Sequence, residues 1–219
     1  MRETIIQCRD SCLSCNRKRE LCLCSKILPF VFDPKIVLLV HPKEYKKSVG
    51  TFRIVRLSIK NSVCIRGYGF ELDQDKTLLD LVSDPSIYPM ILFPGEKSLN
   101  IDELSPEVIR SHIPQDKKLV ILVIDGTWAN ARKMIRTSKV LQSLSSICFS
   151  PKALSAYKFR KQPHAHCVST VEAVHALIEA LCCAKLCERP SEDAHEKMLS
   201  NFHELVKTQV SLQVGPVRY

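Results

Sequence analysis

The stretch that most constrains the fold is residues 119–124, Leu-Val-Ile-Leu-Val-Ile, which run directly into Asp125, Gly126, Thr127 and Trp128. A continuous apolar run of this kind, rich in Val and Ile, predicts a strand buried on both faces, as in a parallel sheet. Residues 129–136, Ala-Asn-Ala-Arg-Lys-Met-Ile-Arg, predict a helix immediately after it. In open α/β sheets, ligands settle outside the carboxyl ends of the strands, beside helix N-termini that offer unpaired N–H groups. The tetrapeptide holds the chain's one Trp and falls where a site is expected. A structural role competes with that reading: Thr127 or Asp125 caps the helix while Trp128 fills the core.

The rest of the chain repeats the theme. Residues 36–40, Ile-Val-Leu-Leu-Val, predict a second buried strand, ending in His41, Pro42, Lys43 and Glu44. Further strands are expected at 62–66, 88–93 (leading to Pro94 and Gly95) and 145–149, and a short helix at 77–82. A helix is expected from Gly50 and Thr51 to about residue 61, with Phe52, Val55 and Ile59 on one side and Arg53, Arg56 and Lys60 on another. That basic side is either a solvated face or a phosphate contact. Residues 101–113 read as irregular or weakly helical, close to linker composition. Ser169 and Glu172 match a capping box at the start of a long helix that is apolar nearly all round, so it is buried or forms an interface. A final helix over about 191–212 turns Met198, Phe202, Leu205 and Val206 inward. The class is α/β: a mostly parallel sheet with helices on both faces.

The chain's 45% hydrophobic content supports a real core, and no apolar run reaches membrane-spanning length without charges. Residues 1–7 lack the long apolar core of a secretory signal, so a soluble, cytoplasmic protein with no membrane partner is expected. The formal net charge, 32 − 23 = +9, points toward a polyanionic partner. Eleven cysteines in a reducing compartment, unevenly spread, suggest metal rather than disulfides. Cys12, Cys15, Cys22 and Cys24 give C-x2-C, six residues, then C-x-C, a pattern for tetrahedral zinc; scattered free thiols are the alternative, and Cys8 has no assigned role. The basic loop at 157–163 carries Tyr157, Phe159 and Arg160 and suits RNA, where bases stack on rings and guanidinium planes. His164, His166 and Cys167 lack a partner set and are not read as a metal site.

These motifs together resemble the DTW-domain family, transfer-RNA (tRNA) uridine aminocarboxypropyltransferases related to the SPOUT class of knotted RNA-modifying enzymes. The resemblance rests on the four-cysteine pattern from Cys12 to Cys24, His41-Pro-x-Glu44, Gly50-Thr51-x-Arg53, Phe93-Pro94-Gly95, Asp125-Gly-Thr-Trp128 with Ala131-Arg132-Lys133, Tyr157-x2-Arg160-x-Gln162-Pro163, and Ser169-Thr170-x-Glu172-Ala173. They fall in family order from residue 12 to about 180.

The resemblance implies a SPOUT-like catalytic domain at 31–219 behind a zinc-knuckle segment at 1–30, and leaves open whether the chain is knotted. It implies transfer of the 3-amino-3-carboxypropyl group of S-adenosylmethionine to N3 of a tRNA uridine, with methylthioadenosine released. It implies that Asp125 orients or deprotonates the base while Thr127 and Trp128 shape the pocket. Pro94 and Gly95 would allow close backbone approach, and Ser169, Thr170 and Glu172 would cradle the amino-acid end of the donor. His41, Glu44, Thr51, Arg53, Arg132 and Arg160 would meet RNA or complete the pocket. Two rival readings stand beside it: a SPOUT-type RNA methyltransferase, and a non-catalytic zinc-knuckle RNA-binding protein. Neither the target uridine nor the oligomeric state is legible.

Overall fold

The computed structural model describes residues 10–70, 76–150, 155 and 168–214. Six parallel strands form one sheet: β1 (Lys35–Val40), β2 (Val63–Arg66), β3 (Ile87–Leu92), β4 (Leu99–Asn100), β5 (Lys118–Asp125) and β6 (Ser145–Cys148), in the order β2-β1-β5-β3-β6-β4. The two apolar runs of the sequence, β1 and β5, lie side by side near the middle, paired from Lys35 with Val120 to Val40 with Asp125.

Helices cover both faces, and the period-two alternation of the strands sorts the core accordingly. Ile36, Leu38, Val40, Met90, Leu92, Ile121 and Val123 point to one side. There they meet α2 (Phe52–Ser58), α4 (Pro106–Ser111), α7 (Thr170–Cys183) and α8 (Ala194–Val214). Val37, Leu39, Ile91, Val120 and Leu122 point to the other, against α3 (Lys76–Ser83), α5 (Trp128–Thr137) and α6 (Lys139–Ser143). A four-residue helix, α1 (Pro42–Tyr45), follows β1.

Residues 101–113 hold a short helix, the helical one of the two expectations, despite their linker-like composition. Ser105 caps α4 by accepting from the Val108 N–H, and Pro106 occupies its first turn, where a missing N–H costs nothing. Ile109 is buried beneath it. Two short elements, β4 and α6, fall below the length that periodicity detects. The long apolar helix is buried as the sequence requires: α7 presents Val171, Val174, Leu177, Ile178 and Leu181 inward, and packs on α8 and α2. It ends at Cys183, short of the end near Cys187 that its apolar pattern predicts, with Lys185 in the left-handed region (φ 54°) and the Leu186 N–H closing on the Leu181 carbonyl. Met198, Phe202, Leu205 and Val206 of α8 are buried as expected.

The N-terminal segment is tied to this body rather than strung from it. Leu23 and Phe30 join the main core cluster, and Lys26 pairs with Glu204 of α8. The Asn201 amide donates to the Lys26 carbonyl at 3.1 Å. Among the described residues, no helix is long and apolar enough to cross a membrane.

Candidate active site

The connections after β1 and β5 diverge. β1 leads through α1 to α2 on one face of the sheet, whereas β5 leads to α5 on the other. Between the carboxyl ends of two neighbouring strands that part in this way, an open α/β sheet leaves a crevice. Asp125 and His41 stand at its edge, and the His41 N–H donates to the Asp125 carbonyl at 2.9 Å. Asp125 is buried, and the Thr170 hydroxyl, from the first turn of α7, donates to its Oδ1.

A cavity of about 250 Å³ opens beside this pair. Its walls come from the ends of β3, β5 and β6 (Leu92, Phe93, Val123, Ile124, Cys148, Phe149), from Trp128 and Ala131 of α5, and from Val168, Thr170 and Ala173 at α7. Pro94, Gly126 and the buried Thr51 complete the lining. The Trp128 ring lies 5.7 Å from the Phe93 ring, tilted by 48°. The chamber is thus largely apolar with two hydroxyls, an ordinary composition for a small-ligand pocket. A larger cavity of about 710 Å³ lies beyond Phe149 and Val168, which line both, and reaches Glu172, His175 and Glu179 along α7.

The residues named from sequence divide into three groups. Thr51, Pro94, Asp125, Trp128 and Thr170 converge on the crevice or its cavity. Thr127, Ser169 and Glu172 lie next to it but are engaged locally. The Thr127 hydroxyl caps α5 by accepting from the Asn130 N–H at 3.2 Å. Ser169 and Glu172 form the full capping box: the Ser169 N–H donates to the Glu172 carboxylate at 2.7 Å, and the Glu172 N–H donates to the Ser169 hydroxyl at 3.3 Å. Glu172 also accepts from the Ser155 hydroxyl. Gly95 sits in the turn after β3, its carbonyl taken by the Ser98 N–H, and does not line the smaller cavity.

The third group surrounds His41. Its Nδ1 accepts from the Lys43 N–H at 3.2 Å and caps α1, so the neutral ring carries its proton on Nε2. Burial, helped by nearby Lys43, Lys133 and Lys47 and opposed by Glu44, pushes the ring's pKa below its ordinary value. Glu44 is buried and paired with Lys47 at 2.8 Å. Arg53 is not on the basic face with Arg56. It is buried, its guanidinium lies 5.1 Å from the Tyr45 ring and 4.7 Å from the Phe52 ring, and it donates to the Tyr45 carbonyl. It braces the loop from β1 to α2. Arg132 is exposed on α5, and Arg160, with the loop around it, falls outside the described residues.

Electrostatics reinforce the position. Residues 41–68 contain seven Lys or Arg and one acid, the buried Glu44; residues 126–139 contain four Lys or Arg and no acid. Every exposed charge these two segments contribute is positive: Lys43, Lys46, Lys47, Arg56, Lys60, Arg66, Arg132, Lys133, Arg136 and Lys139. Positive charge of this density favours a polyanion.

The DTW domain family matches residues 9–210, nearly the whole chain. The chain belongs to the DTW-domain family. It is 28% identical over 206 residues to the Drosophila melanogaster protein named tRNA-uridine aminocarboxypropyltransferase 2, covering 92% of this chain and 76% of that one. It is 25% identical over 221 residues to the Arabidopsis thaliana protein named tRNA-uridine aminocarboxypropyltransferase A, covering 92% and 81%. Both relatives are transferases by name. No solved structure is a significant match.

Among the described residues, two clusters of metal-type side chains lie outside the crevice of this DTW domain. In the first, Cys12, Cys15, Cys22 and Cys24 bring four sulfur atoms within 4.8 Å of one another. The Cys12–Cys24 and Cys15–Cys22 sulfur pairs are each 3.7 Å apart. Zinc bound at about 2.3 Å to four thiolates gives a tetrahedron with edges of about 3.8 Å, so the spacing fits a metal and is far too wide for a disulfide. Backbone N–H groups of Cys15 and Ser14 lower the Cys12 thiol to about 6, which readies one thiolate. Asn16, at φ 58°, turns the chain sharply after the first two ligands.

The second cluster is His175, Glu179, His195 and Glu196, where α7 meets α8. Arg189 already supplies its cation. The guanidinium grips both oxygens of Glu179, at 3.0 Å for the second, and lies 3.1 Å from His195 Nε2. This is an ion-pair network that fastens two helices.

Proposed function

We propose that the chain transfers the 3-amino-3-carboxypropyl group of S-adenosylmethionine to N3 of a uridine in tRNA, in a SPOUT-like catalytic domain. The observation that carries the reading is the buried Asp125 carboxylate at the end of β5, held by the Thr170 hydroxyl of α7 beside an apolar, Trp-lined cavity. The names of the two relatives and the positive charge of residues 41–68 and 126–139 support the tRNA half of the proposal.

The donor, when bound, supplies an electrophilic γ-carbon with methylthioadenosine as its leaving group. Trp128, Phe93, Pro94 and Ala131, which line the cavity, would hold the adenosine portion, and Thr170 at the α7 N-terminus would meet the amino-acid portion. Asp125 would take the N3 proton of the uridine as the N–C bond forms and the γ-carbon–sulfur bond breaks, releasing methylthioadenosine. Its fixed direction matters more than its basicity, because orientation within the crevice decides whether the γ-carbon or the methyl meets the base. Thr127, Ser169 and Glu172 act one step back, as caps that fix the two helices carrying Trp128 and Thr170. Cys12, Cys15, Cys22 and Cys24 hold a structural zinc ion.

Mass spectrometry of nucleosides, after unmodified tRNA is incubated with the protein and S-adenosylmethionine, tests the reaction. The expected product is 3-(3-amino-3-carboxypropyl)uridine; a methylated nucleoside instead assigns a methyltransferase, and binding without any product assigns an RNA-binding protein. Zinc content near one equivalent, lost in a Cys15→Ser variant, tests the knuckle.

A further inference from the structure

We infer that Tyr68 is a base-stacking residue, a platform that receives an unpaired base of the RNA carrying the acceptor uridine. The inference rests on the RNA reading above. A lone exposed hydrophobic side chain needs no explanation; three features set Tyr68 apart.

The first is how the ring is held. Tyr68 is 63% exposed, and among the described residues it is the one aromatic in the exposed class of large hydrophobics. Yet its loop is anchored at both ends. The Gly67 N–H donates to the Val40 carbonyl at 3.2 Å, and Phe70 is buried with its carbonyl taken by the Ser138 hydroxyl at 2.7 Å. The ring itself stands perpendicular to the His41 ring, at 89° and 5.0 Å between centroids. A solvent-facing ring on a fixed pedestal loses little conformational entropy when a base lands on it.

The second is where it stands. His41, its ring partner, is bonded through its backbone to the Asp125 carbonyl, and a Cβ placed on Gly126 would meet the His41 Cβ at 3.7 Å. One side chain therefore separates Tyr68 from the strand end that carries Asp125. A base lying on Tyr68 is a close neighbour of one reaching Asp125.

The third is what surrounds it. Lys43, Lys46, Lys47 and Arg66, exposed on the same segment, are all cationic, and Arg66 rests 5.2 Å from the Tyr45 ring. The one carboxylate of the segment, Glu44, is buried against Lys47. Cations for phosphates beside an open ring for a base are the two components of single-strand and loop recognition. An acidic or apolar protein partner would use the charge or the ring, but RNA uses both.

Three variants test this: Tyr68→Ala, Tyr68→Phe and Tyr68→Leu, each measured for tRNA affinity at several salt concentrations, for kcat/KM toward tRNA and for KM toward S-adenosylmethionine. Loss of a stacked base weakens tRNA binding by about five- to one-hundred-fold. Tyr68→Ala and Tyr68→Leu are expected to show that loss in both affinity and kcat/KM, while the S-adenosylmethionine KM stays within about twofold of wild type. Tyr68→Phe is expected to bind as wild type does. The salt slope stays unchanged in all three, since the ring carries no charge. Tyr68→Ala binding tRNA as tightly as an active wild type overturns the inference and leaves the transferase reading standing. Tyr68→Leu equal to Tyr68→Phe also overturns it, because that result assigns apolar packing rather than stacking. A wild type that binds tRNA through Tyr68 but transfers nothing overturns the reaction and leaves the platform intact.

Discussion

Two helices begin at the crevice, α5 and α7, and they begin in the same way. Each has a hydroxyl at its N-cap, Thr127 or Ser169, bonded to a backbone N–H three residues on. In each, the next residue, Trp128 or Thr170, turns toward the cavity. They differ in what that residue meets: Trp128 packs near Phe93 and shapes a wall, whereas Thr170 reaches across the chain to Asp125. Capping and chemistry are thus divided between adjacent positions. A cap spent on its own helix is not available to a ligand, but it fixes the direction of the residue after it.

The division makes graded predictions. Asp125→Asn keeps the shape of the acid and removes its ability to take a proton, so kcat at saturating substrates is expected to fall by about 10²- to 10⁴-fold, with the melting temperature little changed. Thr170→Val removes a hydrogen bond to a charged group, a loss of about 1.5–3 kcal/mol. That loss lowers stability, and activity is expected to fall by roughly ten- to one-hundred-fold, well beyond what the folded fraction accounts for. Ser169→Ala and Thr127→Ala should show a stability loss without that excess. Each costs about 1 kcal/mol of stability, a fall of about 2–4 °C in Tm for a chain of this size, with activity reduced only in step with the folded fraction. Equal activity losses for Ser169→Ala and Thr170→Val, with no change in Tm, would erase the distinction between cap and site.

The smallest effect concerns His41. Burial holds its pKa below the ordinary 6.5. As pH falls below 6.5, the unfolded chain takes up a proton that the folded chain still refuses, so the unfolded state is favoured. This contribution to stability is complete above pH 6.5 and declines below it until the folded ring also protonates. Urea midpoints measured across that window are expected to show the decline, and His41→Asn, which keeps a capping acceptor, to flatten it.

Much of this was legible in the residues because the signals are local. The apolar runs of β1 and β5 require a parallel sheet buried on both faces, and the spacing of Ser169 and Glu172 announces the capping box that the structure contains. Cys12 to Cys24 carry their metal-like spacing in thirteen residues of chain that fold on themselves. The Ser105–Pro106 start of α4 was equally local; its cap and first-turn proline outweigh the linker-like composition around it. What could not be read depends on the tertiary fold. The Thr170–Asp125 bond joins positions 45 residues apart. Arg53 has the spacing of a surface basic residue, yet the approach of Tyr45 buries it between two rings. Tyr68 gains its meaning from His41, which a different strand supplies.

The most direct test of the proposed reaction uses two isotopically labelled samples of S-adenosylmethionine, one labelled in the methyl and one in the aminocarboxypropyl carbons. Each is given to the wild-type protein with unmodified tRNA. The account predicts that aminocarboxypropyl label enters a uridine while methyl label leaves in methylthioadenosine. Methyl label found in the RNA, with none from the aminocarboxypropyl carbons, would contradict it.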